Sequence, residues 1–342
     1  MGEGGRRRVT LSDVARLADV SPSAVSRAFT DGASVSKETR ARIVRAADRL
    51  GYRPNALARS LMTGRSALIG LVSNALVNPF IMNVVDAFTL QLQRRRLRPL
   101  VFNLSGDFSI DDTVTLIRQY QLDGVIVASS TLDPDFAEAV AAAGVPVVIA
   151  FGAPRPGSSI SAAHVDNVEG GRLVAEALVR RGYRRAGFIG GGEDVSTTQD
   201  RLAGFRAALA DAGLVEPAVV HAGRYAQAAG FAAASKLVAQ APDLDAVFCA
   251  DDLLAIGAFD ALRAMGRAAP ETGIVGFNDI QMASWPAFDL STVRAPVDQV
   301  VAGALDMLSE RIDAPGRPPE RRIVGCEFVP RSTLRKLLEQ GR

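Results

Sequence analysis

Thr10-Leu11-Ser12-Asp13-Val14-Ala15-Arg16-Leu17-Ala18-Asp19-Val20-Ser21-Pro22-Ser23-Ala24-Val25-Ser26-Arg27-Ala28-Phe29 decides how the N-terminal end of this 342-residue chain folds. Val14, Leu17 and Ala18 recur at helical spacing. Thr10 or Ser12, with Asp13 nearby, supplies an N-cap, because a side-chain oxygen satisfies orphan backbone N–H groups. Asp19-Val20-Ser21-Pro22 then interrupts the helix. Ser21 is a second cap, and Pro22 suits a first helical position, where its missing donor is not needed. The pattern predicts a second helix over Ala24–Phe29 and a turn at Asp31-Gly32. Val35-Ser36-Lys37-Glu38-Thr39 starts a third helix, with Ser36 and Thr39 as cap candidates. Its apolar stripe is Ile43, Val44, Ala47 and Leu50, and Gly51 ends it. Three short helices with a tight turn between the first two make a helix-turn-helix unit.

Charge separates this head from the rest. Residues 1–65 carry thirteen Arg/Lys against six Asp/Glu, whereas the remaining chain carries 26 against 31. A basic head on a mildly acidic body is a footprint for a polyanion at one end. The second helix fits that partner, since Pro22, Ser23 and Ser26 are small or polar and let it sink into a major groove. Arg27 can then donate two bonds to guanine O6 and N7. A generic three-helix bundle would need none of these features.

From residue 66 on, strand-like apolar runs alternate with helical stretches. Runs at 67–72, 100–103, 124–127 and 145–149 alternate with helical stretches such as 81–93 and 111–120. A second series has strands at 185–190, 219–220, 245–249 and 273–277. Its helices include 170–181, 198–212, 226–239 and 253–265. Two open parallel sheets in tandem predict a bilobed α/β body, with ligands outside the carboxyl ends of the strands, in the cleft. Phe80 sits just past such a strand and offers a flat apolar face; core packing is its other reading. Arg201 can fork onto hydroxyls or a carboxylate, or form a structural ion pair.

Several classes are excluded. No run approaches the ~18 consecutive apolar residues of a membrane span. Met1 to Arg8 precede no apolar h-region, which argues for the cytoplasm. Cys249 and Cys326 stand alone in apolar surroundings and read as small hydrophobes. Gly190-Gly191-Gly192 is no dinucleotide fingerprint, and no Walker A motif is present. His164 and His221 lack metal-ligand spacing or a nucleophile partner. The expectation is no enzyme, no metal and no cofactor.

Residues 10–15, 20–27, 35–40 and Gly51-Tyr52-Arg53-Pro54-Asn55-Ala56-Leu57-Ala58-Arg59-Ser60-Leu61 together resemble the lac repressor (LacI/GalR) family. The resemblance extends over essentially the whole chain. Body landmarks include Asn78-Pro79-Phe80, Asp123-Gly124-Val125, Val165-Asp166-Asn167, Arg201-Leu202-Ala203-Gly204-Phe205, Asp251-Asp252-Leu253 and Gly276-Phe277-Asn278-Asp279. It implies a periplasmic-binding-protein-like body and a transcriptional repressor whose operator affinity a small molecule controls. Base reading falls to Pro22, Ser23 and Arg27, and phosphate contacts to Ser21 and Ser26, with Thr10 in the same DNA-contacting set. Many relatives carry larger polar residues at positions 22 and 23, which shifts the burden to Arg27. Residues 55–61 are too short for a stable isolated helix, so a helix there needs a partner. The resemblance implies a hinge helix in the minor groove, with Asn55 as cap, Ala58 on the DNA and Leu61 as the wedge that opens a base step. The other reading is a plain linker with Leu61 packed on the body.

The resemblance also assigns Phe80, Arg201, Tyr225, Asp251 and Asn278 to the effector. Asp251 stands where many relatives have Asn, and Asn278 where sugar- and purine-binding relatives commonly have Asp. The exchange implies a donor pattern unlike that of the common hexose effectors. A carbohydrate is the first expectation for the effector, a purine nucleobase the second. The expected organisation is a disordered basic tail (1–8), a DNA-binding head (9–54), a hinge (55–65), a body (66–333) and a short tail (334–342). Within the body, one lobe comprises about 66–164 and 293–323, the other about 165–292 and 324–333. The tail holds at most one heptad, too little for a coiled coil, so a homodimer on a palindromic double-stranded operator is expected.

Overall fold

The computed structural model describes residues 9–29, 33–53, 64–106 and 109–337. The chain divides into an N-terminal unit up to Ala67 and a larger unit from Leu68 onward. The tail at 1–8 and the hinge residues Asn55, Ala58 and Leu61 lie outside the described residues.

The N-terminal unit holds α1 (Leu11–Ala18), α2 (Pro22–Ala28) and α3 (Lys37–Leu50). Thr10 caps α1 through a capping box: its hydroxyl accepts from the Asp13 amide, and the Asp13 carboxylate accepts from the Thr10 amide at 3.0 Å. Asp19 ends α1 in the left-handed region at φ 48°. Ser21 caps α2, with Pro22 at its first position, and Ser36 caps α3. Val14, Ala15, Ala18, Val25, Ala28, Ile43, Ala46 and Ala47 close the core with Tyr52. Leu17 and Val44, expected in that core, are 42% and 39% exposed. Val14 with Ala18, and Ile43 with Ala46 and Ala47, define the inward faces of α1 and α3, and Leu17 and Val44 fall off those faces.

In the larger unit, β1 (Leu68–Ser73), β2 (Arg98–Asn103), β3 (Gly124–Ala128), β4 (Val147–Ala150) and β5 (Ser161–Val165) join β11 (Arg321–Val324) in one sheet. The order is β11-β5-β4-β3-β1-β2, with every pair parallel. β6 (Ala186–Gly190), β7 (Ala218–His221), β8 (Ala246–Cys249) and β9 (Gly273–Val275) form a second parallel sheet, ordered β7-β6-β8-β9. β3, β4, β6 and β8 are buried along their whole length, as expected for parallel strands covered on both faces. The covering helices are α4 (Pro79–Arg94), α5 (Ile110–Gln119), α6 (Pro134–Ala142) and α11 (Val297–Asp313) on the first sheet. On the second they are α7 (Asn167–Val179), α8 (Ser196–Asp211), α9 (Gln227–Gln240) and α10 (Asp252–Ala264).

The chain leaves the first sheet after Val165 and returns to it after β10 (Thr292–Arg294). It leaves again after β11 to form β12 (Glu327–Val329), which pairs antiparallel with β10. These crossing segments make the body two lobes joined by three strands of chain.

Two helix pairs in the second lobe approach so closely that only glycine fits at the contact. A Cβ on Gly204 of α8 would collide with the Val168 carbonyl of α7, and one on Gly257 of α10 with the Gln227 carbonyl of α9. Gly204→Ala tests this. Intrinsic helix propensity favours alanine by about 1 kcal/mol, whereas overpacking costs about 1–3 kcal/mol. The collision is with backbone, so urea unfolding should show a net loss of stability; an unchanged or higher midpoint would contradict the packing.

Candidate effector cleft and DNA-reading helix

On α2, Ser21, Pro22, Ser23 and Arg27 are exposed and Ser26 is half-buried, while Val25 and Ala28 face the core. Pro22 at the first turn and the Ser21 cap set the helix start, which places Ser21 and Ser23 at its N-terminal end and Ser26 and Arg27 in its last turn. Ser21 Oγ accepts from the Ala24 amide at 3.3 Å and lies 2.9 Å from Ser23 Oγ. Thr10 Oγ1 donates to Asp13 at 2.7 Å, so its proton is committed to the capping box. The arrangement presents one guanidinium, on Arg27, from a helix whose other exposed side chains are small.

The body's cleft lies between the two lobes and is narrow, with a cavity of about 40 Å³. Its residues sit at the carboxyl ends of strands: Ser129 after β3, Phe151 after β4, Asn167 after β5, Asp251 after β8 and Asn278 after β9. Phe80, Arg201, Tyr225, Asp251 and Asn278 all line the same cavity. Phe80 enters from the first turn of α4, capped by Asn78, and packs edge-on against Phe151 with ring centroids 5.4 Å apart. Of its two readings, Phe80 satisfies both, being 8% exposed yet part of the cavity wall.

Arg201 lies in the second turn of α8 and is 6% exposed. Its Nε donates to Asn167 Oδ1 at 2.9 Å, a terminal nitrogen donates to the Ala250 carbonyl, and the guanidinium stacks 3.5 Å from the centroid of Phe277. These partners are neutral, so the structural ion pair considered from sequence is replaced by amide and carbonyl acceptors. Burial pushes the guanidinium below its usual pKa, against the opposing pull of Tyr225 and Asp251. Tyr225 directs its hydroxyl to Thr198 Oγ1 at 2.8 Å, and its ring covers Gly191 so closely that a Cβ there would strike it.

Asp251 and Asn278 are not two independent ligand contacts. Asn278 Nδ2 donates to Asp251 Oδ2 at 3.0 Å, and Asn78 Nδ2 from the other lobe reaches the same oxygen at 3.5 Å. Asp251 Oδ1 caps α10 through the Leu253 amide at 2.7 Å. The neighbouring Asp252 accepts from Thr292 Oγ1 at 2.6 Å and from the Ile280 amide at 2.8 Å, tying α10 to the β10 crossing. Asn278 and Asp279 adopt left-handed φ values of 108° and 56°, a costly backbone that persists only when its surroundings over-determine it. Here the Asn278 amide bonds the Val293 carbonyl at 2.8 Å, while Asp279 accepts from Arg294 at 2.7 Å and Arg331 at 2.6 Å.

One buried acceptor in this wall is unmatched. Asn278 Oδ1 is inaccessible and has no hydrogen-bond partner among the described residues. Because Nδ2 is held by Asp251, the amide cannot flip to relieve it.

Asn78, Ser129, Ser130, Thr131, Asn167 and Thr197 also line the cavity and were not assigned to it from sequence. Polar residues directly after a buried apolar run, as at Ser129 and Ser130, were the available signal. Among the described residues no group of three His, Cys, Asp or Glu side chains could hold a metal.

Burial raises the Asp251 carboxyl from its usual 3.8 to about 6, and raises that of Asp252 as well. A group whose folded pKa is raised contributes stability below its unfolded value that is lost as pH climbs through the folded one. The Asp251 contribution therefore falls between pH 4 and about pH 6, by on the order of 3 kcal/mol. The near-isosteric Asp251→Asn removes this titration. Urea unfolding from pH 4 to 6.5 should show wild type losing stability relative to the variant as pH rises; a constant difference would contradict it.

The family model of bacterial regulatory proteins, lacI family, matches residues 10–55, and that of the periplasmic binding protein-like domain matches residues 175–334. The HTH-type transcriptional regulator CelR of Thermobifida fusca is 32% identical over 337 residues, covering 96% of this chain and 99% of that protein. The HTH-type transcriptional repressor PurR of Vibrio campbellii is 29% identical over 335 residues, with 96% and 99% covered. A solved transcriptional regulator CelR–cellobiose complex superposes with a TM-score of 0.74 at 30% identity, covering 95% of this chain and all of that one. The chain thus belongs to the lacI family of bacterial regulatory proteins and is a DNA-binding transcriptional regulator, not an enzyme.

Proposed function

We propose that this regulator is a cytoplasmic, homodimeric repressor whose grip on a palindromic operator is set by a carbohydrate bound between its lobes. The observation that carries the effector reading is the unmatched Asn278 Oδ1. A buried polar atom without a partner costs free energy, and a ligand donor arriving there recovers it. The wall around it is rich in acceptors, with the Asp251 carboxylate on one side and hydroxyls of Ser129 and Thr131 across the cavity. Arg201 adds the charged donor, and Phe80 an apolar face. A ring bearing several hydroxyls satisfies all of them. The CelR relative, solved with cellobiose, supports the class.

The same geometry suggests how binding is transmitted. An effector hydroxyl that donates to Asp251 Oδ2 competes with the long Asn78 bond, which is the direct link between lobes at this oxygen. Asn278 and Asp252 are bonded to the β10 crossing, so a change at the cavity wall reaches the segment on which the lobes turn. At the DNA, Arg27 carries base reading, supported by Pro22 and Ser23, while Ser21 and Ser26 hold the backbone; the Thr10 proton stays with the α1 capping box. Family resemblance adds Asn55, Ala58 and Leu61 to the DNA-contacting residues.

A thermal-shift screen of the full-length protein against sugars, sugar phosphates, polyols and purine nucleobases tests the effector reading. A ligand at about 100 times its dissociation constant adds about 2.7 kcal/mol if it binds the folded state alone. A sugar should raise the midpoint of the wild type and fail to raise that of Asn278→Leu, which replaces the orphan acceptor with an apolar group. A purine hit, or a sugar response untouched by Asn278→Leu, would overturn it.

A further inference from the structure

The cleft occupies the carboxyl end of the first sheet, and the amino end is basic. β1 lies between β3 and β2, and the turns leading into those two neighbours, residues 94–98 and 118–123, hold five arginines against one aspartate. From residue 66 on, by contrast, acids outnumber bases by 31 to 26. Leu68 opens β1 and is the point at which the DNA-binding unit is joined to the body. It pairs with Arg98 of β2 across one strand spacing, about 4.8 Å. On its other side its carbonyl accepts from the Asp123 amide at 3.0 Å. We propose that this end of the body binds the phosphate backbone of the operator duplex, so that DNA is held by the body as well as by the helix-turn-helix.

Ion pairing does not account for the cluster. Arg95 is held by Asp306 of α11 at 2.7 Å. Arg94, Arg98 and Arg118 are exposed and have no carboxylate partner among the described residues; Arg98 donates only to the adjacent Leu97 carbonyl, at 2.9 Å. The helix macrodipole favours a cation in a last turn, which covers Arg94 on α4 and Arg118 on α5. It does not cover Arg98, which lies in β2, or Arg96, which follows the cap of α4. Arg96 adopts φ 61°, and Gln121, at the matching place after α5, adopts φ 50°. After α6, α8 and α10 that left-handed place is filled by Gly144, Gly213 and Gly266, the residue type that takes it without a steric penalty. The two turns that flank Leu68 therefore keep long polar side chains where the other helix ends use glycine. Tyr120, 54% exposed, adds a hydroxyl donor beside Arg118. The turns stand about two strand spacings apart, ~10 Å. That spreads the charge in a row, which suits successive phosphates of a duplex rather than one small anion.

Fluorescence anisotropy of the full-length protein on an operator duplex selected from random sequence, repeated over a series of salt concentrations, tests the proposal. Each phosphate neutralised contributes about −0.9 to the slope of log affinity against log salt. Arg94→Gln/Arg98→Gln/Arg118→Gln should weaken operator binding and make that slope shallower by at least about 0.9. Arg94→Lys/Arg98→Lys/Arg118→Lys should keep the wild-type slope, because a phosphate accepts either cation. Arg180→Gln/Arg206→Gln/Arg263→Gln removes the same charge from exposed positions of the second lobe and should leave the slope near that of the wild type. Should the first variant fail to fold, Arg98→Gln alone, at an exposed strand position, should shift the slope in the same direction. An unchanged slope, one that the second-lobe variant flattens equally, or a loss that the lysines do not recover would overturn the body contact.

Discussion

Two adjacent buried carboxylates, Asp251 and Asp252, tie together the parts of the body that have to move relative to one another. Asp251 caps α10 and gathers one amide from each lobe, Asn278 and Asn78, on a single oxygen. Asp252 holds the loop after β9 and the β10 crossing. Placing two acids side by side out of water is expensive, and both carboxyls are pushed up by it. The cost is offset by neutral donors on every oxygen rather than by an ion pair, which leaves Arg201 free of a carboxylate partner and held by Asn167, Ala250 and the Phe277 ring. A carboxylate satisfied by amides can exchange one of them for a ligand hydroxyl at little net cost. One buried in a salt bridge could not. The left-handed backbone at Asn278 and Asp279 belongs to the same construction, because it turns the Asn278 side chain into the cavity while its main chain stays bonded to Val293.

Much of this was legible in the sequence, for reasons that differ between the two units. The caps at Thr10, Ser21 and Ser36 are local events, decided by residues three positions away; Ser21 forms where expected, and the structure selects Thr10 over Ser12 and Ser36 over Thr39. The parallel strands were legible because burial on both faces leaves unbroken apolar runs, as at Gly124–Ala128. β5 was not read as a strand, since Ser161, Ala162, Ala163 and His164 are small or polar, and its burial comes from β4 and β11 on either side. Nor were α6 and α11, which close the first lobe. The stripe in α3 placed Val44 inside, but Ala46 is buried and Val44 is exposed.

The cleft shows the same division. Phe80, Arg201, Tyr225, Asp251 and Asn278 could be picked out singly as polar or aromatic residues past strand ends and by family position. That Asp251 and Asn278 bond to each other, and that one amide oxygen is left over, depends on backbone angles and on a partner 27 residues away. No local pattern encodes that geometry. The head and the body thus meet different demands: a rigid local unit for reading DNA, and a body whose central hydrogen bonds can be exchanged.

The claim that joins them is that occupancy of the cleft controls the DNA-binding head. It is tested most directly by selecting an operator from random duplexes with the full-length protein. Its affinity is then measured by fluorescence anisotropy at fixed salt, with and without a saturating sugar whose binding has been shown by calorimetry. Linkage of this kind is typically about 1–3 kcal/mol, so operator affinity should change by about 5- to 150-fold, in either direction. An operator affinity that is the same with the cleft filled as with it empty would contradict the claim.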